Sequence, residues 1–121
     1  MSCKVFTARI GASDADALDI TRKSGREGLP FAPSWAILRP ALDARKVGGP
    51  AEFRAWQRYV PAYRAEMRAS YKRNRAAWDA LLSRPRVVLV CYCVDYCRCH
   101  RTLLARFILP RCGATYAGEL P

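Results

Sequence analysis

The stretch Arg86–Leu109, RVVLVCYCVDYCRCHRTLLARFIL, decides the fold. It opens on Val87-Val88-Leu89-Val90, an unbroken apolar run of the kind found in a central strand covered on both faces. That run predicts a strand from Arg86 to Tyr92. From Cys99 the period changes. Leu103, Leu104, Phe107 and Ile108 fall on one face of a helix expected to reach Leu109, where Pro110 and Gly113 stop it.

Working outward, Pro85 closes the longest helical signal in the chain. Phe53, Trp56, Val60, Tyr63, Met67, Tyr71, Trp78 and Leu81 recur at spacings of three, four or their sum, which marks one apolar helix face. The pattern predicts a helix from about Ala51 to Leu82, divided by Pro61. Gly48-Gly49-Pro50 separates it from a short helix that Ser34 is placed to cap and Pro40 to kink. Nearer the N-terminus, Lys4–Ile10 reads as a first strand and Ala17–Thr21 as a second. A basic loop, 22–28, follows. Ala114–Tyr116 is long enough for a last strand. Strands alternating with helices predict a single α/β domain, a small three-layer fold with a largely parallel central sheet.

The 121 residues carry 21 Lys and Arg against 10 Asp and Glu, a net charge of +11. Such a field attracts nucleic acid, nucleotides or other anions and identifies no chemistry. No apolar stretch is long enough to span a membrane, and the start MSCKVFTARIG lacks the apolar core of a signal peptide. Four of the six cysteines crowd into nine residues, Cys91, Cys93, Cys97 and Cys99. A disulfide framework spreads its cysteines along the chain, so a reducing, cytoplasmic setting is expected.

The turn between strand and helix is the candidate site. In parallel sheets, ligands bind beyond the carboxyl ends of strands, and a helix start favours an anion. Arg98 and Arg101 flank this turn. Cys91 and Cys93, two apart on the strand end, share a side and are candidate nucleophiles. His100, the only histidine, is a candidate acid or base. Asp19 and Arg22 end the second strand, and Ser24 sits in a loop suited to phosphate. No cofactor is expected on this reading. The alternative is a zinc site built from Cys93, Cys97, Cys99 and His100, although ligands drawn from one tight turn strain a tetrahedron.

The segment LVCYCVDYCRCHRTLLARFI resembles the C-terminal signature of the DUF488 family, in which an apolar strand ends in a cysteine and Cys-His-Arg opens an apolar helix some seven residues later. Cys91 and Cys99-His100-Arg101 hold those positions. LDITRKSG resembles the family's Asp-x-Arg strand end, with Asp19 in place and Arg22 one position later than that pattern. FAPSWAILRP, the aromatic run from Trp56 to Tyr63, and GATYAGEL resemble further segments. Cys93 departs from the family pattern, standing where many members carry an acid, and Cys97 adds a thiol. The resemblance implies an α/β domain with a pocket and no defined substrate.

Three functions follow as expectations. The first is binding or turnover of a nucleotide or another phosphorylated small molecule, by hydrolysis or glycosyl transfer. The second is nucleic-acid binding along a stripe of Arg54, Arg58, Arg64, Arg68, Lys72 and Arg75. The third is a small zinc-binding structural or inhibitory protein.

Overall fold

The computed structural model describes residues 2–11, 13–95 and 98–121. Four strands, β1 (Lys4–Arg9), β2 (Ala17–Asp19), β3 (Arg86–Cys91) and β4 (Thr115–Glu119), form a sheet in the order β2-β3-β1-β4. Every neighbouring pair is parallel. The β2–β3 and β3–β4 crossovers carry helix while β1–β2 is a short loop, and the molecule is a small three-layer α/β domain with a parallel central sheet, as expected.

The apolar run becomes β3, with residues 87–91 all buried. Its side chains alternate between two cores. Val87 and Leu89 join Val5, Tyr63, Met67, Trp78, Leu81 and Leu104 in the main one. Val88 and Val90 join Ala8 in a smaller cluster on the other face, against Phe6, Ile10 and Leu120. A strand apolar on both sides is what this division requires.

The long helical signal forms α2 (Gly49–Arg73) and α3 (Arg75–Leu82), preceded by α1 (Trp35–Val47). Here the structure corrects the sequence reading. Pro61, expected to divide the long helix, lies inside an unbroken α2; Pro40 lies inside α1, which continues past it with no restart. Gln57 and Pro61 are both exposed, so the carbonyl that loses its N–H partner lies on the wet side of the helix. The break comes instead at Asn74, whose carbonyl accepts from Ala77 and Trp78 N–H and whose amide donates to Ser70 Oγ. Nor does Ser34 cap α1 with its side chain. Its hydroxyl and its N–H both go to the Glu66 carboxylate on α2.

The last helix is also less regular than its period predicts. It begins as α4 (His100–Thr102), continues as a π-helix (Leu103–Ile108) and ends as a 3-10 turn (Leu109–Cys112). The segment 29–31 is a 3-10 turn, pinned by Tyr63 Oη on the Phe31 carbonyl at 2.8 Å and by Ser70 Oγ on the Pro30 carbonyl. Among the described residues, no helix is long and apolar enough to cross a membrane.

Candidate metal centre

Cys91 is the last residue of β3, next to the end of β2 in the sheet. Chain direction there points Cys91 and Cys93 to one side, and their sulfurs stand 3.6 Å apart. The start of α4 returns Cys99 to the same place. The three sulfurs Cys91, Cys93 and Cys99 all lie within 4.8 Å of one another. Four sulfurs around a tetrahedral zinc at about 2.3 Å would be separated by roughly 3.8 Å, so the trio is close to the spacing such an ion imposes.

His100 stands beside two of the three sulfurs. Its Nε2 lies 2.8 Å from the Ile20 carbonyl oxygen, which can only accept, so Nε2 carries the proton. The unprotonated Nδ1 then faces the thiols, 3.8 Å from Cys91 Sγ and 3.9 Å from Cys99 Sγ. A backbone carbonyl holding the far nitrogen is the arrangement found behind metal-binding histidines. Burial holds the imidazole pKa below its ordinary value, in keeping with a neutral ring.

Two arginines neutralise the sulfur cluster. Arg45 of α1 donates to Cys93 Sγ at 3.3 Å and to the Arg98 carbonyl at 2.8 Å. Arg101 donates to Cys99 Sγ at 3.4 Å and to the Cys93 carbonyl at 2.9 Å. Hydrogen bonds from Cys91 and Cys99, with the Arg45 guanidinium behind them, hold the Cys93 thiol far below its usual range. Cys91, bonded to that thiolate, is pushed up to about 11. Burial drives Cys99 well above the usual range.

The cluster forms part of the wall of a cavity of about 330 Å³. Arg22, Lys23, Trp35, Trp56, Tyr59 and Tyr92 contribute to the rest of its lining. Trp56, Tyr59 and Tyr63 stack in series, and Tyr63 leans on the His100 ring at 5.7 Å between centroids.

The expectation of no cofactor is overturned by this geometry: three thiols converge on a space suited to a metal ion. Cys91 reaches this space from the strand end, Cys93 from the turn and Cys99 from the residue before α4. Of the expected Cys93, Cys97, Cys99 and His100, Cys93 and Cys99 are clustered here with Cys91, and Cys97 lies outside the described residues.

The other predicted residues scatter. Asp19 accepts from Thr21 N–H and Oγ1 and from Ser24 Oγ, so its carboxylate is spent on its own loop. Burial opposes and these bonds outweigh it, leaving Asp19 below the usual carboxylate range. Ser24 accepts in turn from Tyr92 Oη at 2.8 Å. Arg22 borders the cavity, but its guanidinium donates to the Pro33 and Ala32 carbonyls. Arg98 turns to Phe53 and Glu52 of α2. Arg101 has no exposed surface and is paired with Glu119 at 2.8 Å. The two arginines expected to grip one anion therefore point apart. The basic stripe divides as well: Arg54 and Arg58 line a cavity against α1, whereas Arg64, Arg68 and Lys72 line another against the 103–112 segment. Arg75 stacks on Tyr71 and pairs with Asp79. Arg45 and Glu119, which frame the sulfur cluster, carry no sequence signal beyond their charge.

Residues 28–111 match the family model described as "DUF488-N3a: Active DUF488-N3 subclade". The chain belongs to the DUF488 family. This matches the resemblance read from Cys91 and Cys99-His100-Arg101, and the DUF488 region contains all three clustered cysteines, His100 and Arg45. No curated protein matches the chain, and no solved structure does.

Proposed function

We propose that this DUF488 protein is a zinc-binding protein whose ion is held by Cys91, Cys93 and Cys99, with His100 Nδ1 as the fourth donor. The convergence of the three sulfurs within 4.8 Å carries the reading. Soft thiolates and one imidazole are the donor set zinc prefers. Three thiolates around a dipositive ion leave one net negative charge, and Arg45 and Arg101 stand against it. The ion's role is structural: it ties the end of β3, the following turn and the start of α4 into one unit. That unit forms part of the wall of the 330 Å³ cavity.

Elemental analysis of the purified, reduced protein tests this. One zinc per chain is expected, and Cys93→Ser and Cys99→Ser should each lose it. Cobalt substitution should give the intense visible bands of a tetrahedral thiolate site. A reduced chain that neither carries zinc nor takes up cobalt would reject the proposal.

A second reading rests on Cys93 itself. It is half-buried, borders the cavity and receives an arginine hydrogen bond, as an activated nucleophile would. The family model's description as "active" supports an enzyme. A phosphorylated small molecule would then occupy the cavity beside Arg22 and Lys23. On this reading, metal-free protein should be alkylated by iodoacetamide at Cys93 well ahead of Cys91 and Cys99. Equal rates at the three positions, mapped by mass spectrometry, would exclude it.

A further inference from the structure

On the side of α2 away from the sulfur cluster's partner helix α1, a second cavity of about 320 Å³ opens between α2 and the 103–112 segment. Its floor is apolar, formed by the buried Met67 and Trp78. Tyr71 and Phe107 add aromatic surface, and Phe107 is 44% exposed, an outlay of apolar area that a covered site would recover. Four cations border it: Arg64, Arg68 and Lys72 on one flank and Arg111 on the other. No acidic residue lines it. None of the four has an ion-pair or hydrogen-bond partner among the described residues, whereas Arg75, Arg86, Arg98 and Arg101 all do.

Like charges gathered around an apolar cavity oppose one another and gain nothing from the fold, so their placement is explained by a ligand that is both anionic and flat. Arg64, Arg68 and Lys72 stand four residues apart, a step of about 6 Å along the helix. That is comparable with the separation of successive phosphates in an extended single strand, and it provides more cations in a row than one mononucleotide can use. We propose that this cavity takes one base of a single-stranded nucleic acid, with the adjoining phosphates running along Arg64, Arg68 and Lys72. Aromatic floors edged by cations bind single strands in this way, with little preference for sequence. The metal centre plays no part in the contact.

Fluorescence anisotropy of the full chain with labelled oligo-dT and oligo-U, across a salt series, tests the proposal. Log affinity should fall linearly with log salt, with a slope of about −2 for three phosphate contacts at roughly −0.7 each. Arg68→Gln with Lys72→Gln should flatten that slope by more than one. Phe107→Ala should weaken binding by roughly tenfold and leave the slope unchanged, since stacking carries no counterion release. Arg54→Gln with Arg58→Gln, nearer the start of α2 and lining a different cavity, should change neither. All five positions are exposed, and circular dichroism checks that each variant is folded. The proposal is overturned by absence of saturable binding at the lowest salt or by full affinity in Phe107→Ala. It is equally overturned if uridine monophosphate competes as well as the oligonucleotide, or if anionic phosphatidylserine vesicles are bound in preference to it.

Discussion

Arg101 has no exposed surface, and its guanidinium is shared between Glu119 of β4, the Cys93 carbonyl and Cys99 Sγ. Removing one partner of such a pair leaves the other charge buried and unmatched. Glu119 retains 17% side-chain exposure, which softens the loss. Glu119→Gln should therefore destabilise the fold by about 2–3 kcal/mol, read as a lower Tm at pH 7. The effect has a defined pH dependence. Burial alone would raise the Glu119 pKa, but the Arg101 hydrogen bonds outweigh it and the carboxyl stands below its usual range. A depressed folded value means the contribution is present above the unfolded pKa, near ~4.3, and is lost as pH falls through the folded value. The Tm gap between wild type and Glu119→Gln should close on acidification below about pH 4; a gap unchanged at pH 3 would exclude the ion pair as its source. At this scale the sequence was legible for atoms near in the chain. Cys91 and Cys93 share a side because strand residues two apart do. Glu119 lies 18 residues beyond Arg101, and only the β1–β4 pairing beside β3 brings it back. Arg45 reaches Cys93 from a helix 48 residues earlier, and nothing local marks it among the basic residues.

The segment after β2 shows what an element's path demands of its residues. The chain folds back on itself so closely that a Cβ on Gly28 would meet the Asp19 carbonyl oxygen at 2.0 Å, and one on Gly25 the Thr21 carbonyl oxygen at 2.5 Å. Both clashes are with backbone, which cannot swing aside. Gly28→Ala should destabilise by about 3 kcal/mol or more in chemical denaturation. It should also disturb the Ile20 carbonyl that holds His100, one residue along from Asp19. Pro61 makes the opposite case. It is exposed in mid-helix, so Pro61→Ala should restore an N–H to α2 and lose no packing. A gain of roughly 1–2 kcal/mol is expected, the helix benefit being reduced by a freer unfolded chain. A destabilised Pro61→Ala would show that the proline bends α2 for a packing reason. These two positions also separate what was legible from what was not. The apolar period identified the helices, and the β3 run identified the sheet, because burial imposes those patterns on sequence directly. Whether a proline breaks a helix depends on which side faces water, which tertiary packing decides. The π and 3-10 turns after Thr102 likewise follow from fitting Leu103, Leu104 and Leu109 into a core that already exists.

At the scale of the molecule, the sulfur cluster joins parts of the fold that the sheet alone leaves apart. Cys91 ends a strand embedded between β1 and β2, while Cys99 opens the helical segment that packs over the main core. Between them, residues 92–95 contribute to neither apolar cluster, and Tyr92 and Val94 are exposed by 46% and 75%. An ion held at both ends would close this loop, and it would bind only when the sheet and helix are assembled. Binding to the folded state alone stabilises it by the logarithm of ligand concentration over Kd, about 4 kcal/mol when free ligand stands at a thousand times Kd. For a domain of this size each kcal/mol is worth roughly 3–6 °C in Tm. Zinc added to reduced, chelator-stripped protein should therefore raise Tm by ~10 °C or more, and the rise should grow with zinc concentration. Cys93→Ser should abolish the response while leaving a cooperative melt, since Cys93 is only half-buried and follows the last residue of β3. Cys91→Ser and Cys99→Ser report less cleanly, because both side chains are buried in the fold. Glu66→Gln supplies the counter-test. It disturbs the Ser34 contacts and touches neither the sulfurs nor the two arginines beside them, so its zinc-dependent rise should match the wild type's. If Cys93→Ser still gains with zinc as the wild type does, the ion is not held by these three sulfurs.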